Sequence, residues 1–244
     1  MKEKKIETFG IGKRYCCSDI HGAYKALLQV FERSGFNKDE DLLICLGDVA
    51  DGWPEVPECF DELLKIKNLV YIMGNHDNWL LQYFRFSATP NIWVRQGGGA
   101  TLDAYSRYID TTAHQQLLER ALYYYVLDNK LFVHGGYDWH WPIENTSRHD
   151  MMWDRELIQA AIYWNKQAPK TGVMNRVKDY DEVFIGHTTT SHYDSELKPV
   201  HVSNVWNLDQ GAGWEGKLTI MDIDSKEYWQ SDVVKGLYPD VKGR

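Results

Sequence analysis

An α/β fold, with a two-sheet core flanked by helices and a parallel half followed by an antiparallel half, is what the order of elements in this sequence predicts. Three observations carry the prediction. Short apolar runs alternate with helical stretches from Lys13 to Met73, the pattern of parallel strands joined by helical crossovers. From Val200 onward the chain changes to short strands separated by turn-rich segments, which favours antiparallel hairpins. The 244 residues, 43% hydrophobic and 25% charged, suffice to bury a core as a single domain over residues 1–244.

In order, Lys13–Cys17 reads as a strand, Ala23–Ser34 as an amphipathic helix, Asp41–Leu46 as a strand, Val56–Ile66 as a helix and Leu69–Met73 as a strand, with a helix opening near Asn78. The short turns between them argue for parallel strands. Phe86–Arg107 has no clear period; within it Gln96-Gly97-Gly98-Gly99 reads as a loop. His114–Leu122 reads as helix, Tyr123-Tyr124-Tyr125-Val126 as packing, Leu131–Val133 as a strand, Ser147–Trp164 as a helical region and Glu182–Ile185 as a strand. Val200–Ser203, Val205–Leu208, Lys217–Asp222 and Glu227–Gln230 are the short strands of the tail.

The formal net charge of −8 makes duplex nucleic acid a poor partner. Met1–Glu7 is charged and no apolar leader core follows it, and no run is long enough to cross a bilayer, so a cytoplasmic protein without a membrane partner is expected. Cys16, Cys17, Cys45 and Cys59 form no C-x-x-C pair and are expected as buried, reduced thiols. Adjacent Cys16 and Cys17 should face opposite sides of a strand.

Five segments share one grammar: an apolar strand, a small residue, then metal-ligand side chains. They are Ser18-Asp19-Ile20-His21-Gly22, Gly47-Asp48-Val49-Ala50-Asp51-Gly52, Gly74-Asn75-His76-Asp77, Val133-His134-Gly135-Gly136 and Gly186-His187-Thr188. Ligands of open α/β sheets gather at the carboxyl ends of strands, so these residues should share one sheet edge. Each segment alone is weak, because a lone histidine after a strand is more often a hydrogen-bonded structural residue. Five in order are a strong signal. Carboxylates and imidazoles without cysteine suit Mn, Fe or Zn in a catalytic rather than a structural site.

The five segments resemble the signature set of the calcineurin-like metallophosphoesterases, in particular the phosphoprotein phosphatase branch and its bacterial and phage serine/threonine phosphatases. Trp153-Asp154-Arg155-Glu156 is similar to that group's W-x-R-E element, and Asn207-Leu208-Asp209-Gln210-Gly211-Ala212 to its N-x-D-T-G-A segment. The resemblance runs from Tyr15 to about Asp222. It implies an αββα sandwich, with two packed mixed β-sheets flanked by helices, and two divalent metal ions, Mn²⁺ first, with Fe or Zn as alternatives. Asp19 and His21 would bind one ion, Asp48 would bridge, and Asn75, His134 and His187 would bind the other. His76 would be the general acid oriented by Asp51, and Arg155 would grip the phosphoryl oxygens.

Three departures stand out. Ser18 replaces a glycine, and Asp77 a glutamate that is not a direct ligand. Gly52 stands where the family has an arginine that shares the phosphate grip. Arg85, Arg95, Arg107 and Arg148 are the unranked candidates to replace it.

The chemistry suits the residues. Two ions roughly 3.5–4 Å apart lower the pKa of a bridging water, so that hydroxide can attack phosphorus in line, and they neutralise the phosphoryl oxygens. A short anionic side chain such as Asp48 can touch both ions. Arg155 offers two parallel N–H bonds to phosphate. The leading expectation is a phosphomonoesterase acting on a phosphorylated protein or a small phosphoester. The alternatives are hydrolysis of a nucleotide, either a dinucleoside polyphosphate or a cyclic nucleotide, and a non-catalytic binding protein on the same fold. His192 and His201 read as surface or structural. His140 and His149, in the stretch after His134, are candidates to contact substrate. Among ten tryptophans, Trp53, Trp139 and Trp141 adjoin motif loops and are candidates for an aromatic rim.

Overall fold

The computed structural model describes residues 12–243. The charged opening Met1–Glu7 lies outside them. Ten strands among the described residues form two five-stranded sheets.

The first sheet grows from the expected crossover run. β1 (Arg14–Cys17), β2 (Leu42–Cys45) and β3 (Asn68–Tyr71) are parallel, with Tyr15 beside Leu43 and Leu43 beside Leu69. α1 (Tyr24–Ser34) buries Ala26, Leu27, Val30 and Phe31, one face of a 3.6-residue period. Gly35 ends it at φ 67°, its N–H reaching the carbonyls of Glu32 and Phe31. α2 (Val56–Leu64) carries Pro57 in its first turn and buries Val56, Cys59, Phe60 and Leu63. β2 is buried throughout, so Leu42-Leu43-Ile44-Cys45 is apolar without alternation. α3 (Asn75–Phe86) opens directly after Gly74, three residues earlier than expected, because the Asp77 carboxylate accepts the Gly74 N–H at 3.2 Å.

Phe86–Arg107 proves helical. α4 (Asn91–Trp93), a wide turn over Val94–Gly98 and α5 (Gly99–Ser106) follow one another. The expected Gln96–Gly99 loop is therefore a kinked helical turn, bent where Gly97 takes φ 105°. α6 (Thr112–Glu119) leads to β4 (Tyr124–Leu127), so the tyrosine run read as packing is an edge strand paired with β5 (Lys130–Val133). The Ser147–Trp164 region is two helices, α7 (Arg148–Trp153) and α8 (Glu156–Thr171), separated by extended Asp154. β6 (Glu182–Ile185), β7 (Val200–Val202), β8 (Val205–Asn207), β9 (Thr219–Asp222), β10 (Tyr228–Gln230) and α9 (Val234–Leu237) complete the chain.

The tail does not form an antiparallel half of its own. Both expected hairpins exist, but β9–β10 joins the first sheet against β1, giving the order β10-β9-β1-β2-β3. β7–β8 joins the second, with β8 parallel to β6, giving β4-β5-β6-β8-β7. Both sheets are thus mixed.

The core has three layers. Cys16, Ile44, Ile72, Phe132, Phe184, Leu208 and Met221 pack between the sheets, where Phe132 and Phe184 stack at 4.9 Å. Cys17, Leu27, Val30, Cys45 and Phe60 lie under the helices of the first sheet, and Leu131, Val133, Leu157, Ile158 and Val183 under those of the second. Cys16 and Cys17 therefore face opposite sides of β1, and all four cysteines are buried and unpaired. Among the described residues no helix is long and apolar enough to cross a membrane.

Candidate metal centre

The ligand candidates from both sheets meet at the carboxyl ends of their strands. Asp19 and His21 follow β1, Asp48 follows β2, Asn75 opens α3 after β3, His134 follows β5 and His187 follows β6. Asp19 (φ 54°), His21 (51°), Asp48 (52°), Asp51 (73°) and His187 (64°) all sit on left-handed backbone. Such conformations cost about 1–3 kcal/mol each outside glycine and cluster where a site requires a particular side-chain direction. The glycines beside them permit close approach. A Cβ on Gly74 would lie 2.1 Å from Asp48 Oδ1, and one on Gly186 would lie 2.2 Å from Asp19 Oδ2.

Among the described residues two sets of buried ligand atoms, each within 4.8 Å of one another, could hold an ion: Asp19, His21 and Asp48, and Asp48, His134 and His187. Asp48 belongs to both. Its Oδ1 accepts the His76 backbone N–H at 2.9 Å, while Oδ2 lies 3.2 Å from His134 Nε2 and 3.9 Å from His21 Nε2. Asn75 Oδ1, 3.2 Å from His134 Nε2, adds a neutral oxygen to the second set. The imidazoles are oriented as ligating histidines are. His21 Nδ1 faces the Ala50 carbonyl at 2.9 Å and His134 Nδ1 the Leu46 carbonyl at 2.7 Å, which assigns each N–H to Nδ1 and turns Nε2 inward. Among the described residues His187 Nε2 is buried with no hydrogen-bond partner, a costly state for a polar atom unless a ligand meets it. Oxygen and imidazole donors sharing one carboxylate fit a pair of divalent cations.

The charges agree. Burial, with Asp48 adding to it against the pull of His134, pushes Asp19 up to about 6. Burial alone would raise Asp48 as well, yet His134, His76 and His21 hold it well below the usual carboxylate range. Burial opposes protonation of His134, but Asp48 beside it lifts it to about 10. Buried carboxylates here draw positive charge from whatever stands near, which is the requirement a dication meets.

Around the ligands stand the other candidates. His76 Nδ1 lies 2.5 Å from Asp51 Oδ2, and its Nε2 is buried without a partner among the described residues. Arg155 Nη1 lies 3.3 Å from Thr188 Oγ1 and 3.5 Å from the His187 carbonyl. Burial lowers the His187 pKa well below its usual value, and His134 and the Arg155 guanidinium add to that. The break before α8 holds Arg155 there. Asp154 Oδ1 accepts the Leu157 N–H at 3.0 Å, and a Cβ on Gly136 would lie 2.3 Å from that same oxygen, so the Trp153–Glu156 segment locks against His134-Gly135-Gly136.

Several expectations need correction. Trp53 is wholly buried, its indole donating to the Ala212 carbonyl at 2.7 Å, so it offers no rim. Trp139 packs edge-on against Trp164, and Trp141 is exposed. The aromatic residues that flank the site are instead Trp79 and Trp153. Ring centroids run from His76 to Trp79 (5.1 Å), to Trp153 (5.3 Å) and on to His187 (5.7 Å). Trp79 sits on the same helix as His76, three residues on, a signal that sequence reading could have used. Asp77 does more than fill a tolerated position. Its oxygens accept the N–H groups of Asp48 (2.7 Å), Val49 (2.9 Å), Ala50 (3.0 Å) and Gly74, tying down the loop that carries Asp48. Among the arginines proposed to replace the one missing at Gly52, Arg85 pairs with Glu119 and Arg107 with Asp103, while Arg148 lies over the Tyr123 ring. Arg95 is exposed on the segment whose Gly97 carbonyl accepts the Gly52 N–H at 3.3 Å. His140 pairs with Asp138 in solvent, and His149 stacks on Trp153.

A sequence model of the calcineurin-like phosphoesterases matches residues 13–212. The chain is 25% identical over 236 residues to serine/threonine-protein phosphatase 1 of Salmonella typhimurium, covering 90% of this chain and 96% of that protein. It is 26% identical over 228 residues to the asymmetrical bis(5'-nucleosyl)-tetraphosphatase PrpE of Bacillus cereus, covering 82% and 86%. The fold is similar to that of a Saccharomyces cerevisiae protein serine/threonine phosphatase, with TM-score 0.60, 13% identity and coverage of 97% and 84%. It is also similar to a cold-active protein-tyrosine phosphatase of Shewanella, with TM-score 0.55, 14% identity and coverage of 91% and 81%. A family match across most of the chain makes this protein a member of the calcineurin-like phosphoesterases, and so a metal-dependent phosphoester hydrolase.

Proposed function

We propose that the site hydrolyses phosphate monoesters on phosphorylated protein, with two Mn²⁺ ions held by Asp19, His21, Asp48, Asn75, His134 and His187. The observation that carries this reading is the sharing of Asp48 between two donor sets, with the His76 backbone N–H on Asp48 and Arg155 beside Thr188, next to His187. When bound, the ion pair supplies charge neutralisation at phosphorus and acidifies the attacking water.

The chain's own groups do the rest. Arg155 receives two phosphoryl oxygens in a planar fork, and Thr188 Oγ1 beside its Nη1 keeps the guanidinium in place. His76 donates the proton on Nε2 to the leaving oxygen, while its Nδ1–H donates to Asp51. An alkoxide leaving from serine or threonine needs that proton. The full-length likeness to a protein named as a serine/threonine phosphatase supports this substrate class.

One observation favours a second reading. Trp79 adjoins His76, on the leaving-group side, and Trp153 continues the wall. A nucleobase could stack there, as the dinucleoside polyphosphate hydrolysis named for PrpE would require. The deciding experiment is a turnover screen with Mn²⁺ against phosphoserine and phosphothreonine peptides, p-nitrophenyl phosphate and diadenosine tetraphosphate. Higher kcat/KM on the peptides supports the first reading. Preference for the dinucleotide sinks it.

A further inference from the structure

The α4–α5 segment, opaque to sequence reading, folds around Asp51. We propose that Trp93 and Thr101 are positioning residues that hold Asp51, and through it the His76 imidazole, in line with the leaving oxygen. This rests on the reading of His76 as general acid.

The geometry is specific. Asp51 Oδ2 receives the Trp93 Nε1–H at 2.7 Å as well as facing His76 Nδ1 at 2.5 Å. Oδ1 receives the same indole N–H at 2.9 Å and the Thr101 hydroxyl at 2.6 Å. The Asp51 backbone N–H in turn donates to Thr101 Oγ1 at 2.9 Å. Asp51, His76, Trp93 and Thr101 are all fully buried, so water cannot replace a lost donor. The indole is itself braced, since a Cβ on Gly98 would lie 2.6 Å from Trp93 Nε1. The Gly52 N–H, next in the chain to Asp51, reaches the Gly97 carbonyl at 3.3 Å. The segment thus grips the Asp51 loop by side chain and backbone together. A carboxylate held at both oxygens cannot swing about its terminal bond, and the imidazole it steers inherits that orientation. Proton transfer falls off steeply with such misalignment.

The test uses the Mn²⁺-loaded full chain with two substrates, a phosphoserine peptide and p-nitrophenyl phosphate, whose leaving group hardly needs a proton. Trp93→Phe keeps the ring and removes its N–H. Thr101→Val keeps the shape and removes the hydroxyl, and Thr101→Ser restores it. We expect kcat on the peptide to fall about 10–100-fold in Trp93→Phe and Thr101→Val, with KM nearly constant, loss on p-nitrophenyl phosphate within about threefold, and recovery in Thr101→Ser. The second readout is the His76 ring N–H resonance in metal-free protein, which should shift in Trp93→Phe. Equal losses on both substrates, or no loss on the peptide, overturn the proposal. His76→Asn is the control for the underlying reading. If it loses equally on both substrates, His76 is not the general acid. The resonance then decides the positioning claim, and an unmoved signal in Trp93→Phe overturns it.

Discussion

The backbone N–H of His187 reaches both carboxylate oxygens of Asp19, at 3.2 and 3.0 Å, across 168 positions of sequence. Asp19 leaves the first sheet and His187 the second, so this contact stitches the two sheets together at the edge where the ligand candidates gather. The candidate centre is therefore part of the interface that joins the halves, and occupying it should strengthen the fold.

Removing metal should lower thermal stability. A ligand at about 100 times its Kd adds about 2.7 kcal/mol. For a chain of this size that corresponds to a Tm drop of about 5–10 °C on chelation. Calorimetry with EDTA and with restored Mn²⁺ measures it, and an unchanged Tm would mean that no ion bridges the sheets.

Asp48→Asn should reduce bound metal and turnover together, because a neutral amide bridges two cations poorly. Elemental analysis of the purified variant gives the metal count. Full metal content with normal kcat would remove Asp48 from the bridging role.

His76→Asn should retain both metals, since the Asp48 contact is made by the backbone N–H of residue 76 and not by the ring. Its kcat on phosphoserine peptide should fall about 10²–10⁴-fold. Loss of metal in this variant would count against a role separate from ligation.

Arg155→Ala should raise KM about tenfold or more, and Arg155→Lys should not recover it, because a point charge lacks the planar fork. Wild-type KM in either variant would locate the phosphate grip elsewhere, with Arg95 next to test.

Asp77→Asn presents an NH₂ group to backbone donors that now meet a carboxylate. Leaving buried N–H groups unpaired costs about 1–3 kcal/mol each. We expect a loss of about 3 kcal/mol in urea denaturation, with weaker metal retention because the Asp48 loop loosens. A shift under about 0.5 kcal/mol, the usual range for an uninvolved surface change, would contradict this role.

Much of the centre was legible because its residues lie directly after strands. An apolar run followed by Gly47-Asp48 or Gly186-His187 announces both the strand and the turn that exposes the side chain at its end. The crossover run β1–α1–β2–α2–β3 was legible for the same local reason, its two periods being distinct. The expected antiparallel half failed because pairing partners are not local. β9 can pair with β1 only after the whole chain has returned, and nothing in Thr219–Asp222 names that neighbour.

The sequence by itself determined which side chains could hold cations, that they follow strands, and that helices cover a two-sheet core. Tertiary structure alone decided which atoms face one another: Asp48 between two donor sets, Trp79 and Trp153 along the rim instead of Trp53, and Trp93 and Thr101 closed around Asp51. Ligand type and strand period are local properties written residue by residue. The direction of a carboxylate oxygen in a buried site is set by donors that arrive from distant segments, and only folding brings them there.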